Sequence, residues 1–254
     1  MSCVALCALF SMIFAYPYPQ SIKLGDLDIS TANLNQYTTY HCTDAQKSAL
    51  SSLFADINHD IPFVLTEATL GIASTYGFSP LFKTSANITP VTSLFGHIAA
   101  QDRLNTSTLR YSISFVCVNP GDSFTSKKLH FAYSNPDVPA ISDSNTNEIF
   151  IFPLFWEGQR SPASTLCPRI KGNKAVPNDG SLVSNQYCTI IHELADKYLY
   201  FGKSREQLIS DAGEVYNVQD AIELSGGKSL NNAQNYALFA CGECFLRYVL
   251  GESG

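Results

Sequence analysis

The chain has 254 residues, 45% hydrophobic and 15% charged, with a formal net charge of −6 and a pI near 5.3. That length supports one domain with a substantial core. The acidic, sparsely charged composition offers no electrostatic footprint for nucleic acid, and no apolar run is long enough to span a membrane.

Residues 4–15 form an apolar run, followed at once by Tyr16-Pro17-Tyr18-Pro19. This reads as the core of a signal peptide cleaved near Ala15, and hence as an exported chain. The expected organisation is a signal peptide over 1–15, an extended segment over 16–40 and one domain over 41–250. In an exported chain the sequons at Asn87 and Asn105 become glycan acceptors. Of the eight cysteines, Cys3 and Cys7 leave with the leader. The others, Cys42, Cys117, Cys167, Cys188, Cys241 and Cys244, are expected in disulfides, with the pairing open. Cys241 and Cys244 have redox CxxC spacing, but Cys241 falls late in a helix, where no N-terminal dipole lowers a thiol pKa. A structural disulfide is therefore the expectation there, and no second CxxC completes a four-cysteine zinc site.

Helical spacing starts after Thr43, a natural N-cap, with Ala45, Ala49, Leu50, Leu53, Phe54 and Ile57 on one stripe. Pro62 is expected to restart a second helix that runs to Tyr76 and stops at Gly77. Thr89-Pro90 opens a third, with cap and first-turn proline and the stripe Val91, Leu94, Phe95 and Ile98. His97 lies just off that stripe and reads as a packing or surface residue rather than a ligand. Alternation then predicts strands over 111–118, 129–133 and 148–152, with a turn at Asn119-Pro120-Gly121-Asp122. Residues 157–182 read as loop. Helices are expected near 184–200, 204–210 and 229–249. Helices, then strands, then helices give a single α+β domain.

The chemistry concentrates in Ile190-Ile191-His192-Glu193-Leu194-Ala195-Asp196. In the H-E-x-x-H motif of zinc peptidases, two histidines four apart hold the metal and the glutamate acts as general base on a water. Here the second histidine is Asp196. Its carboxylate projects from the same helix face as His192, and zinc accepts carboxylate oxygen. The competing reading is a solvated Asp196 that pairs with Lys197 or a loop, with no metal.

The order of parts resembles the deuterolysin-like aspzincins, fungal secreted zinc metallopeptidases that include lysine-specific endopeptidases. The anchors are Tyr111 to Cys117 followed by Asn119-Pro120, Glu148 to Phe152 leading into Pro153-Leu154-Phe155, Cys167, and the motif helix. The segment Asn232-Ala233-Gln234-Asn235-Tyr236-Ala237-Leu238-Phe239-Ala240 is similar to the family's N-A-D-x-Y-x-x-F-A signature. The resemblance implies a zincin-like catalytic domain with N-terminal helices, a small mixed sheet, an active-site helix and C-terminal helices. It also implies zinc as cofactor, peptide or protein as substrate and, carried over by position, His192 as ligand and Glu193 as base. The third ligand in the family is an Asp three residues before a Tyr that Tyr216 matches. Gly213 occupies that position, and the nearest carboxylates are Asp211 and Glu214. No Tyr matches the upstream residue that stabilises an oxyanion, because the region reads Leu154-Phe155-Trp156. Two functions follow: a secreted, monomeric zinc metalloendopeptidase with altered ligands, or a catalytically silent homologue that binds a peptide, a glycan or a wall component.

Overall fold

The structure is a computed structural model that describes residues 23–24, 27–28, 37–73, 77–105, 110–120, 122, 137–142, 146–158, 186–202 and 214–241. The expected leader, the strand at 129–133, the helix at 204–210, Asp211, Cys167 and Cys244 lie outside these residues.

Two short strands, β1 (Lys23–Leu24) and β2 (Leu27–Asp28), form an antiparallel pair. After β3 (Thr38–Tyr40), helix α1 (Asp44–Leu70) begins at a reciprocal cap. Gln46 N–H donates to Thr43 Oγ1 at 3.2 Å, and Thr43 N–H donates to Gln46 Oε1 at 2.8 Å. These bonds satisfy two donors that the first turn would otherwise orphan. The expected break at Pro62 does not occur, and α1 is one helix of 27 residues. The apolar stripe continues in register through Ile57, Ile61, Val64, Leu65 and Ala68, all buried. Burial of Val64 and Leu65 at about 1.5–3 kcal/mol each offsets the roughly 3 kcal/mol cost of an interior proline.

The helix stops at Gly71 rather than Gly77. Gly71 has φ 58°, and a Cβ there would lie 2.3 Å from Ile88 Cδ1. Helix α2 (Phe78–Phe82), which the periodicity had not marked, follows. A 3-10 turn over Ser85–Asn87 then leads directly into α3 (Ile88–Ala100). Thr89 is therefore inside α3 rather than its cap, although Pro90 still lies in the first turn, where its missing N–H costs no helical bond. The predicted stripe of α3 is buried throughout.

Strands β4 (Leu104–Asn105) and β5 (Arg110–Tyr111) pair antiparallel. The expected strand at 111–118 is thus split between this pair and β6 (Ser114–Cys117). With β3, β7 (Ala140–Ser142) and β8 (Glu148–Ile151), β6 forms a four-stranded mixed sheet ordered β3-β6-β8-β7. The β3–β6 and β6–β8 pairs are parallel, and β7 runs antiparallel to β8. Because β3 pairs with β6, the sheet begins before residue 41. Side-chain alternation divides the sheet. Ile113, Phe115, Cys117, Ile149 and Ile151 enter the main core, whereas Val118, Phe150 and Phe152 form a smaller cluster opposite.

Helix α4 (Pro153–Glu157) places Pro153 at its first turn, where strand and loop had been expected to meet. After α5 (Gln186–Tyr200) come α6 (Val218–Glu223), α7 (Gly226–Ser229) and α8 (Ala233–Ala240). The long helix expected from 229 is broken at 230–232. Rings of Phe78, Phe82, Phe95, Tyr236 and Phe239, with neighbouring centroids 5.0–5.9 Å apart, join α2, α3 and α8. Such pairs add about 0.5–1.5 kcal/mol each beyond area burial. The result is α+β: a small mixed sheet and helices around one main core.

Disulfides join Cys42 to Cys117 and Cys188 to Cys241. Cys241 is thus held by the motif helix rather than by its CxxC neighbour. Among the described residues no helix is long and apolar enough to cross a membrane.

Gly71→Ala should lower the unfolding free energy by about 1–3 kcal/mol, from the strained φ and the clash with Ile88. Thr43→Ala should cost about 1 kcal/mol through the lost cap. Urea titration monitored by circular dichroism reads both, and an unchanged midpoint for Gly71→Ala contradicts the account of the helix stop.

Candidate metal centre

Helix α5 is buried on every side, since each residue from 187 to 197 is buried. It lies against α8, α3 and strand β7. Ser142 on β7 donates its hydroxyl to the Glu193 carbonyl at 2.9 Å, which fixes the helix against the sheet edge. At the opposite end, Tyr198 OH donates to the Asp102 carbonyl at 2.9 Å and its ring stacks on His97. His97 Nδ1 lies 2.7 Å from Asp102 Oδ2, so His97 has a packing role and takes no part in the motif.

Three donor groups converge on α5. His192 Nε2 lies 3.9 Å from Asp196 Oδ2 and 3.2 Å from Glu214 Oε1. The three ligand atoms all lie within 4.8 Å of one another. Asp196 is therefore not a solvated residue paired with Lys197. It is 7% exposed and faces His192, while the Lys197 amine turns away to donate to the Thr146 carbonyl at 2.8 Å. Of the two carboxylates near the third-ligand position, Glu214 reaches the cluster. It is one residue out of register with the family Asp, and its extra methylene gives it the longer reach. Asp211 is the carboxylate outside the described residues.

Supporting groups set the orientation of these donors. His192 Nδ1 lies 2.9 Å from Gln234 Oε1. The amide oxygen is an acceptor, so Nδ1 carries a proton, and Nε2 is the ring nitrogen that faces the carboxylates. Tyr216 donates its hydroxyl to Glu214 Oε2 at 2.9 Å, and its half-exposed ring stacks on the imidazole at 5.6 Å. Asn232 Oδ1 accepts from the Val215 backbone N–H at 3.2 Å and thereby pins the segment that carries Glu214. Asn232 Nδ2 donates to Asn235 Oδ1 at 2.6 Å, and Asn235 donates to the carbonyls of Leu81 and Ala221. The sequence had marked the stretch from Asn232 as a signature without assigning roles to Asn232 or Gln234. Its run of amides, at what proves to be the first turn of a helix, was the available signal.

Glu193 is 6% exposed, and its Oε2 has no hydrogen-bond partner among the described residues. A buried carboxylate oxygen without a partner is costly in a purely structural role and is suited to accepting a proton. The set also suits a divalent ion. A tetrahedron of bonds near 2.1 Å has edges of about 3.4 Å, which the 3.2 Å separation of His192 Nε2 from Glu214 approaches and the 3.9 Å separation from Asp196 exceeds. Imidazole and carboxylate are both acceptable donors.

The sequons are placed differently from one another. Asn87 uses its side-chain N–H groups toward the Phe82 carbonyl at 2.6 Å and the Gly226 carbonyl at 3.1 Å, clasping α2 to α7. Asn105 lies in β4. A cleft of about 700 Å³ opens between Tyr40, His41, Asp122, Asn147 and Glu148, and it contains none of the motif residues.

A comparison of the chain with models of protein families finds no match, and no curated protein matches it either. The case for the centre therefore rests on its geometry.

Gln234→Leu should weaken divalent-metal affinity about 10–100-fold, the usual effect of losing the partner of a ligating histidine, whereas Gln234→Glu should retain it. Isothermal titration with zinc measures both. Equal affinities for Gln234→Leu and wild type would remove Gln234 from the site.

Proposed function

We propose that this chain is a secreted, divalent-metal-dependent peptide hydrolase of the zincin type, similar to the deuterolysin-like family, with His192, Asp196 and Glu214 as metal ligands and Glu193 as general base. The observation that carries the reading is the convergence of His192 Nε2, Asp196 and Glu214 within 4.8 Å. The reaction class comes from the resemblance of the motif helix and the Asn232–Ala240 segment to that family. Export is supported by the apolar leader and the two disulfides.

A cation held by the three side chains would polarise a scissile carbonyl and acidify a water at the same place. The chain supplies the remaining functions. Gln234 keeps His192 in the tautomer that exposes Nε2. Tyr216 holds the second oxygen of Glu214, leaving Oε1 directed at His192. Glu193 takes up a proton at its buried Oε2 and returns it to the departing amine. Burial of His192, Glu193, Asp196 and the Glu214 side chain lowers the local dielectric and strengthens each electrostatic contact. The donor set moderates this chemistry. Two carboxylates neutralise a divalent ion, whereas the family's single carboxylate leaves it positive. A less positive centre raises the pKa of an adjacent water.

One observation favours the silent-homologue reading. His192 Nε2 and Glu214 Oε1, at 3.2 Å, form an ion pair without any metal if the imidazole is protonated. Metal content separates the two readings. Mass spectrometry of the purified secreted protein should give near one divalent ion per chain, lost in His192→Ala. Glu193→Gln should keep the metal and lose about 100-fold or more of peptide hydrolysis. No bound metal after dialysis against excess zinc would leave the binding-protein reading in place.

A further inference from the structure

On the reading that the His192–Asp196–Glu214 cluster binds a divalent ion, we propose that it is an exchangeable site for oxygen-preferring cations of the manganese(II) class rather than a zinc-selective one. The donors carry the first part of the argument. The cluster offers one imidazole and two carboxylates. Imidazole suits zinc, whereas carboxylate oxygen suits the harder ions. Exchange of an imidazole for Asp196 therefore removes a ligand on which preference for zinc depends.

Cys188 carries the second part. It stands one turn before His192 on the same face of α5, at the i, i+4, i+8 positions 188, 192 and 196. A thiolate there would be the natural soft donor that draws zinc or copper. Its sulfur is instead committed to Cys241. Among the described residues the site face therefore carries no available sulfur, and its soft character rests on a single nitrogen.

Spacing carries the third. Asp196 Oδ2 is the remote donor, at 3.9 Å from Nε2 against 3.2 Å for Glu214. The three donors therefore do not form the even triangle of a compact zinc tetrahedron, whose edges are about 3.4 Å. Neutralisation of the ion by two carboxylates adds ionic bonding, which differs little between divalent ions of the same charge.

The test uses the full secreted chain stripped of metal, with zinc(II) and manganese(II) each titrated alone by calorimetry. Manganese binding is also read as loss of the free-ion electron paramagnetic resonance signal. The ratio of manganese to zinc dissociation constants should be at least about tenfold smaller in wild type than in Asp196→His, which restores the imidazole. Glu214→Gln should weaken both ions together. Equal ratios in wild type and Asp196→His overturn the proposal while the metal-site reading stands. Binding of neither ion overturns both. If Asp196→His fails to fold by circular dichroism, competition in wild type decides. Retention of bound manganese at about tenfold excess over zinc supports the proposal, and complete displacement by one equivalent of zinc overturns it.

Discussion

The structure depends on one constraint: a helix buried on all sides that nevertheless carries His192, Glu193, Asp196 and Lys197 in six positions. Ionisable groups removed from water must be matched inside the protein or neutralised. The surrounding elements supply that matching. Strand β7 and the loop before β8 contribute Ser142 and the Thr146 carbonyl, α8 contributes Gln234, and the segment before α6 contributes Glu214. The sheet edge, the break ahead of α8 and the approach of the 214–216 segment are all consequences of serving one helix.

The amide side chains at the start of α8 show how this service is organised. Asn232 reaches the backbone beside Glu214, Gln234 reaches the ring of His192, and Asn235 reaches α2 and α6. Three neutral residues thus hold two candidate ligands and two helices. Amides suit the task because each offers donors and an acceptor without adding a buried charge. The alternation of direction at positions 232, 234 and 235 follows from the helical turn that starts there. Loss of one amide strands its partner in a dry environment, which is why such networks are costly when half satisfied.

Much of this was legible in the sequence where a local signal and the tertiary context agree. The Thr43 cap, the α3 stripe and the 148–151 strand follow from side-chain chemistry within a few residues. The continuity of α1 through Pro62 was not legible, because the burial that outweighs the proline comes from elements far away in the chain. The helix stops at Gly71, whose positive φ and close approach to Ile88, seventeen residues beyond it, leave no room for a side chain, and not at the more obvious Gly77. In the site, the spacing of His192 and Asp196 gave their shared face. It did not give the burial of Asp196 or the direction of Lys197. Register counting left Asp211 and Glu214 two and one residues away from the expected position, and the folded path of 214–216, tied to Asn232, brings Glu214 to the cluster. The CxxC spacing left the partner of Cys241 open, and the fold pairs it with Cys188 on the helix packed alongside.

The bond between Cys188 and Cys241 has a consequence for the integrity of the centre. The bridge closes a loop with a sequence separation of 53, and His192, Glu193, Asp196, Glu214, Asn232 and Gln234 all lie within it. In chain-entropy terms such closure is worth about 4 kcal/mol against the unfolded state. It also makes the centre a covalently bounded ring. A single cut anywhere between residues 202 and 214 would leave both halves of the ligand set tied to one another through sulfur. A chain nicked in that stretch would therefore still keep every donor on one molecule.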